Sequence, residues 1–387
     1  MQQLNLSHIS SLKLGITAGG QLAKMLVLAA SNWDIKTYVM DADPGCPAAA
    51  QCTKFFQGSH TSYEDVYNFG QEVDIITYEI ESINVEALKK LKSEGKIILP
   101  HPDILETIQD KGLQKQFFSL NKIPTAAFKL FSDKQDILQA LDANEISFPF
   151  VQKIRKGGYD GRGVVVINNS SETHKLLDAP SVVEQKVSIQ KEISVIAARS
   201  IHGEVSHFPP VEMEFNPEAN LVEMLICPAD ISAEIASQCG QLADKLITAW
   251  DMVGLLAVEL FVDHDNKVWV NEVAPRPHNS GHHTIESIVT SQFEQLLRAI
   301  LGLPLGSVQQ KIPAIMLNLL GEPGYEGEAI YEGLFDAMKI DGVKVHLYGK
   351  KITKPFRKMG HLTILASTRE EAIEKASQVK NLIKIIA

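Results

Sequence analysis

The sequence predicts a chain of α/β and α+β domains: a doubly wound N-terminal domain, a small lid-like domain, and a C-terminal domain of mixed strands and helices. Three observations carry this. Strands and helices alternate over the first hundred residues, a glycine-rich loop then lies between two apolar strands, and beyond it longer strands gather around one hairpin. At 387 residues with 45% hydrophobic content the chain exceeds one ordinary core. We place the domains at 1–102, 103–188 and 189–387.

Each element follows from its local pattern. From Ser11, LKLGI reads as a strand, the glycines at 19 and 20 as a turn, QLAKMLVLAASNW as a helix and IKTYVMDAD as a strand ending in acid. DIITYEI, VEALKKLKSEG and KIILPHP repeat strand, helix, strand. One helix is expected over DILETIQDKGLQKQFFSLN, followed by a turn at Pro124 and the strands FPFVQKIR and GVVVI around the glycine loop. SVVEQKV is a further strand, SAEIASQCGQLADKLITAWDMV a helix, and LLAVELFVDHDNKVWVNEV a hairpin. The tail from Ala314 adds strands around KVHLYGK and GHLTILA and a closing helix at REEAIEKASQVKNL.

Composition excludes several classes. With 37 basic against 47 acidic residues the formal charge is -10, which repels a nucleic-acid polyanion. Cys46, Cys52, Cys227 and Cys239 form neither a C-x-x-C pair nor a disulfide framework, so a reducing cytoplasm is expected. The first residues lack a basic and apolar export signal, and no window has the apolar length to span a bilayer.

The chemistry concentrates in the hairpin. A turn centred between Asp265 and Asn266 sets Phe261 opposite Val270 and Glu259 opposite Glu272, so two carboxylates share a face. Facing like charges destabilise a strand pair unless a cation offsets them, and magnesium takes few carboxylates, keeps waters and completes its shell with substrate phosphates. The bland alternative is a shifted register with one glutamate solvated. Between the apolar strands, Lys153 to Gly163 carries Gly157, Gly158, Gly161 and Gly163 beside Lys153, Arg155 and Arg162, a loop whose N–H groups can approach phosphate; a hairpin with a flexible tip is the alternative. It is no Walker A loop.

Glu184-Gln185-Lys186-Val187 can pair with an adenine edge or be a solvated strand end. After Glu272, prolines stiffen a loop that projects Arg276 and His278 beside the expected metal. Three histidines there, His278, His282 and His283, lack the spacing of a zinc site, and surface exposure is their ordinary reading. Tyr348 to Lys351 and Arg357 to His361 concentrate positive charge, either to grip a phosphate or as a solvated face.

Together these segments resemble the 5-(carboxyamino)imidazole ribonucleotide synthase family of the ATP-grasp superfamily, from Gly15 to about His361. GGYDGRG at 157–163 and NEVAPRPHNSGH at 271–282 carry most of the likeness, and GGQL at 19–22, CPA at 46–48, TYEIES at 77–82 and RKMGH at 357–361 agree in order. The resemblance implies an ATP-grasp fold with a Rossmann-like first domain, ATP between lid and C-terminal domain, and a homodimer. It implies ATP contacts from Lys111, Lys115, Lys153, Gly158, Tyr159, Asp160, Gly161, Arg162, Gly163, Glu184, Gln185, Lys186, Val187, Glu192, Asn271 and Glu272. Magnesium, with manganese as an alternative, would sit on Glu259 and Glu272. The aminoimidazole ribonucleotide would meet Gln21, Leu22, Tyr159, Asp160, Arg276, His278, Lys350 and Arg357, with Arg276, His278 and Asp160 catalytic and bicarbonate as the further substrate.

The sequence departs from that family at four places. Ala18 and Phe356 stand where glycine is usual, Lys111 replaces an arginine, and Glu212-Met213-Glu214-Phe215 lacks an expected histidine. Three rivals remain at this point: a formate-dependent ligase of glycinamide ribonucleotide, an NAD-dependent oxidoreductase using the first domain and Asp41, and a non-catalytic nucleotide-binding subunit. Against the oxidoreductase, Gly15 to Gly20 is not G-x-G-x-x-G.

Overall fold

A computed structural model of the chain describes residues 6–158, 163–216 and 221–387. β1 (Lys13–Thr17), α1 (Gln21–Ser31), β2 (Lys36–Asp41), β3 (Lys54–Gln57), α2 (Tyr63–Gln71), β4 (Ile75–Tyr78), α3 (Val85–Ser93) and β5 (Ile97–Ile98) build the expected doubly wound unit. Its sheet runs β3-β2-β1-β4-β5 with every pairing parallel. Chain order reverses at β1, and in such sheets ligands gather at the carboxyl ends of the strands beside the reversal. Gly19, Gly20, Glu79 and Glu81 all follow the ends of β1 and β4.

The single helix expected after Pro102 is two, α4 (Pro102–Gln109) and α5 (Lys111–Leu120). Asp110 between them is extended, at φ -117° and ψ 106°. Its Oδ1 accepts the N–H groups of Gly112 at 2.8 Å and Leu113 at 3.3 Å, capping α5. The Arg155 guanidinium grips the same carboxylate with two bonds of 2.8 Å. Helical periodicity continues through this point, but the decisive partner lies 45 residues away.

β6 (Phe128–Phe131), α6 (Lys134–Asp142), β7 (Phe150–Ile154), β8 (Val164–Ile167) and β9 (Ser181–Gln185) form the lid, a four-stranded antiparallel sheet ordered β6-β9-β7-β8. Ile137, Phe150, Ile167, Leu176 and Val183 give it a core of its own.

The remaining elements are β10 (Ile189–Arg199), β11 (Val205–His207), β12 (Val211–Asn216), β13 (Leu221–Cys227), α7 (Ala233–Ala249), β14 (Gly254–Asp263), β15 (Val268–Ala274), α8 (Thr284–Ser287), α9 (Gln292–Leu301), β16 (Ala314–Leu320), β17 (Gly327–Glu328), β18 (Ile330–Glu332), α10 (Leu334–Ala337), β19 (Val343–Leu347), β20 (Ile352–Thr353), β21 (Lys358–Leu365), α11 (Arg369–Leu382) and β22 (Lys384–Ile386). One large sheet runs β15-β14-β10-β12-β13-β16-β21-β19, so the tail continues the sheet that begins with the carboxylate hairpin.

Helix α9 decides how the domains meet. Ser291 caps its first turn through the Glu294 N–H, and Gly302, at φ 74°, closes it. Between these ends Phe293, Leu296, Leu297 and Ile300 are buried in one core with Leu22, Met25 and Leu26 of α1. Each such side chain contributes about 2 kcal/mol of burial, so the first and third domains are welded together while the lid is packed separately.

Candidate active site

Glu259 and Glu272 face each other across β14 and β15, as expected. The tip of the hairpin differs from the sequence reading: Phe261 pairs with Trp269 and Leu260 with Val270, because Asn271 is an extra residue in β15. Such a bulge re-aims side chains. Here Asn271 and Glu272, neighbours that would alternate on a regular strand, both face lysines: Lys153 Nζ donates to Asn271 Oδ1 at 2.7 Å, and Lys111 Nζ pairs with Glu272.

The charges around this pair are organised into an alternating cluster. Glu184, 4% exposed, accepts contacts from Lys115 and Lys153 at 3.2 Å each. Burial pushes the Lys115 ammonium down to about 8 despite Glu184. Lys111 beside Glu272 holds that carboxyl well below the usual range, whereas burial and the facing Glu272 charge push Glu259 up. Burial likewise raises Glu192 to about 7, against a pull from Lys153. The cluster has three lysines able to meet phosphate oxygens and two facing carboxylates able to take a hard cation.

The loop after β15 supplies the next groups. Arg276 Nη2 lies 2.7 Å from Glu81 Oε1, and its Nη1 donates to the Pro277 carbonyl at 3.0 Å. Gln109 Nε2 fixes the Glu81 segment by donating to the carbonyls of Glu81 and Ile83 at 2.7 and 2.9 Å. Sequence reasoning missed Glu81 as an anchor, although it stands in the TYEIES segment. His278 Nε2 is 3.6 Å from Glu259 Oε1; burial first, then Arg276, hold its ring down at about 3, hence neutral.

A third group of side chains comes from the tail. Lys350 Nζ donates to Gln21 Oε1 at 3.1 Å and to the Lys358 carbonyl at 2.7 Å, joining the tail to the start of α1 beside the buried Leu22. Arg357 Nη1 donates to the Ile352 carbonyl at 2.6 Å. The N-terminus of α1 is already capped from within: Glu79 accepts the N–H groups of Gly20 and, at 2.7 Å, Ala23. A Cβ on Gly20 would lie 2.2 Å from Glu79 Oε1, so a larger residue would displace the carboxylate from this cap. Asp41 accepts the Gly19 N–H at 2.7 Å. Both acids occupy donors that a dinucleotide pyrophosphate would need, which removes the oxidoreductase reading.

Comparison with known proteins decides the family. A model of the ribonucleotide synthetase preATP-grasp domain matches residues 11–109, one of the ATP-grasp domain 116–293, and one of the phosphoribosylaminoimidazole carboxylase C-terminal domain 314–375. The N5-carboxyaminoimidazole ribonucleotide synthase of Brucella melitensis is 36% identical over 90% of this chain and 95% of its own. The chain belongs to the N5-carboxyaminoimidazole ribonucleotide synthase family. Its fold is accordingly the ATP-grasp fold, and it is an ATP-grasp ligase. The solved N5-carboxyaminoimidazole ribonucleotide synthetase of Thermotoga maritima is 40% identical with a TM-score of 0.89, covering 97% of this chain and 99% of its own. A structure of the Aspergillus clavatus synthase in complex with ADP and 5-aminoimidazole ribonucleotide is 31% identical with a TM-score of 0.87, covering 96% and 98%. Two other relatives are longer, and the chain spans 67% and 36% of them.

The four departures noted in the sequence acquire a physical setting. Ala18 and Phe356 sit at φ 68° and 62°, the left-handed region where glycine is free and other residues are strained. Met213, in the segment without the expected histidine, is buried in a small apolar cluster against which Phe215 packs. Lys111 keeps the positive charge and spends it on Glu272.

Other expected residues are placed differently. Arg155 is committed to Asp110 at the root of the lid and is not a phosphate ligand in this arrangement. Gln185 and Lys186 direct their N–H groups to the carbonyls of Ala127 and Pro149 within the lid, and Lys186 Nζ reaches Asn168. Val187 follows as half-buried backbone between lid and β10. Gly158 and Gly163 bound the loop tip; Tyr159, Asp160, Gly161 and Arg162 lie outside the described residues. His282 and His283 are 0% and 2% exposed, so the surface reading fails for both. Among the described residues no group of three or more His, Cys, Asp or Glu converges as a metal site.

Proposed function

We propose that this chain carboxylates the exocyclic amine of 5-aminoimidazole ribonucleotide with bicarbonate and ATP, forming the N5-carboxyamino product, ADP and phosphate through carboxyphosphate, a step of purine synthesis. One observation carries the reading: Glu259 faces Glu272 beside Lys111, Lys115 and Lys153, within reach of the Arg276 and His278 loop.

The donor set fits magnesium. Two carboxylates on one face, with burial and the Glu272 charge still raising Glu259 against the pull of Lys111 and Lys153, make a hard oxygen site suited to magnesium, and manganese would fit the same oxygens. When bound, the ion neutralises phosphate charge and helps align the triphosphate. Lys115 and Lys153 would hold phosphate oxygens, and Lys111, now paired with Glu272, would be a third cation beside them. Glu192, Asn271 and the Gln185 to Val187 segment line the nucleoside side. Tyr159, Asp160, Gly161 and Arg162 are assigned to the ATP and acceptor contacts by the family resemblance, and exclusion of water would protect the short-lived carboxyphosphate.

On the acceptor side Lys350 and Arg357 receive the ribose phosphate near Gln21 and Leu22, Arg276 stabilises developing negative charge, and His278 orients the amine. The division at 102/103 and 188/189, a homodimeric assembly and a cytoplasmic setting belong to the same proposal. Among the described residues no helix is long and apolar enough to cross a membrane. The test is phosphate release from ATP. It should require bicarbonate and aminoimidazole ribonucleotide together, and release that persists without either, or that formate supports with glycinamide ribonucleotide, would sink the assignment.

A further inference from the structure

The His278 side chain sits at the head of a hydrogen-bond chain whose direction the geometry dictates. Gln292, 0% exposed, clamps the backbone: its Oε1 accepts the His278 N–H at 2.9 Å and its Nε2 donates to the His278 carbonyl at 2.8 Å. The ring is oriented from its other side. The Ser280 backbone N–H points at His278 Nδ1 from 3.3 Å. An amide N–H can only donate, so Nδ1 presents its lone pair and carries no proton. Ser280 Oγ lies 2.9 Å from the same Nδ1 and therefore donates its hydrogen there. Having given its hydrogen, Ser280 Oγ is left to accept, and Ser194 Oγ lies 2.8 Å behind it. The two serines are 1% and 2% exposed, which leaves little room for water to reverse the sequence.

We propose that Ser194 and Ser280 are positioning residues that fix the His278 imidazole in the tautomer protonated at Nε2, so that it donates a hydrogen bond into the reaction centre and does not act as a base. The proton-bearing edge faces Glu259 Oε1 at 3.6 Å, on the anionic side of the cleft. With Nδ1 accepting from the Ser280 amide, the ring carries its proton on Nε2, and Nε2–H has no lone pair to offer an amine proton. A donor at this place favours oxyanions, so within the carboxylation proposed above it would, besides orienting the amine, steady bicarbonate or carboxyphosphate oxygens while another group takes the amine proton. The register of β10 and β14 explains why Ser194 is available: it pairs directly with Glu259, so one ladder position supports both ends of the imidazole.

The tautomer can be read without catalysis. In full-length protein carrying isotope-labelled histidine nitrogens, two-bond proton–nitrogen correlation spectra near neutral pH distinguish the two neutral forms and the imidazolium, with His278 assigned by its loss in His278→Gln. The wild type should show Nε2 protonated and Nδ1 bare. Ser280→Ala and Ser194→Ala should both mix the tautomers and lower kcat about tenfold with the KM for ATP unchanged, the loss expected for one hydrogen bond at the reacting centre. Ser194→Thr, which keeps the hydroxyl, should restore the spectrum and the rate. A wild-type ring protonated at Nδ1, a charged ring, or an alanine variant with unaltered tautomer and kcat overturns the inference. Because the spectra need no substrate, a chain that proved unable to carboxylate the ribonucleotide would fail the activity assay while leaving this readout intact.

Discussion

Glu259 and Glu272 are facing like charges, relieved first by Lys111 on Glu272 and further by Lys153. Glu272→Gln should therefore lower turnover about a hundredfold or more in the phosphate-release assay, a loss typical of removing one electrostatic anchor, while the fold survives. Wild-type turnover in that variant would refute a cation-holding role. Ala18 invites the opposite kind of change. Its backbone is left-handed at φ 68°, so Ala18→Gly should raise stability by about 1 kcal/mol, seen as a higher denaturant midpoint at unchanged slope. The sequence marked Ala18 and Phe356 as departures from a glycine pattern. Their φ values explain what the glycine was for.

At the scale of elements, the break between α4 and α5 is where local pattern lost to a tertiary contact. Asp110 caps α5 and holds Arg155, so Asp110→Ala removes a cap and strands a guanidinium at once. We expect a destabilisation of about 2 kcal/mol by denaturant titration, together with a raised KM for ATP because the lid root loses its anchor. An unchanged KM would show that Arg155 serves the fold alone. The bulge at Asn271 taught a similar lesson. Charge alternation located the Glu259 and Glu272 pair, yet the register at Phe261 was off by one because nothing local announces an extra residue whose side chain is drawn to a lysine 118 positions away.

For the whole molecule, the raised carboxyls predict how stability changes with pH. Burial lifts Glu192 from 4.5 to about 7, so between those values the folded chain holds a proton that the unfolded chain has released. Stability contributed by protonated Glu192 is therefore present below about pH 4.5, falls as pH rises, and levels off above about 7. The buried Glu259, also pushed up, acts in the same direction. Burial holds His278 and His283 down at about 3 and 4, and these act the other way below about 6.5, so the Glu192 contribution is read by difference: relative to wild type, Glu192→Gln should gain in thermal midpoint as pH rises from about 4.5 to 7, and a profile parallel to wild type would contradict the assignment. Sedimentation should report a species of twice the 42.7 kDa chain mass if the proposed homodimer forms. Inside one chain, the shared core of α1 and α9 already brings Gln21 to Lys350 and Glu81 to Arg276, contacts across 329 and 195 sequence positions that pattern reading could not order.

What the sequence determined by itself was local or repeated: the alternation that makes a parallel sheet, the glycine loop between apolar strands, the pairing of two glutamates across one hairpin, and the motifs that carry the family. These are legible because each depends on neighbours a few residues apart. Tertiary structure decided the rest: the Asp110 break, the bulge that aims Asn271, the burial of His282 and His283, the anchoring of Arg276 by Glu81, and the serine chain behind His278. Each turns on a polar group meeting a distant partner out of water, and burial, which makes such a meeting obligatory, exists only once the chain is folded.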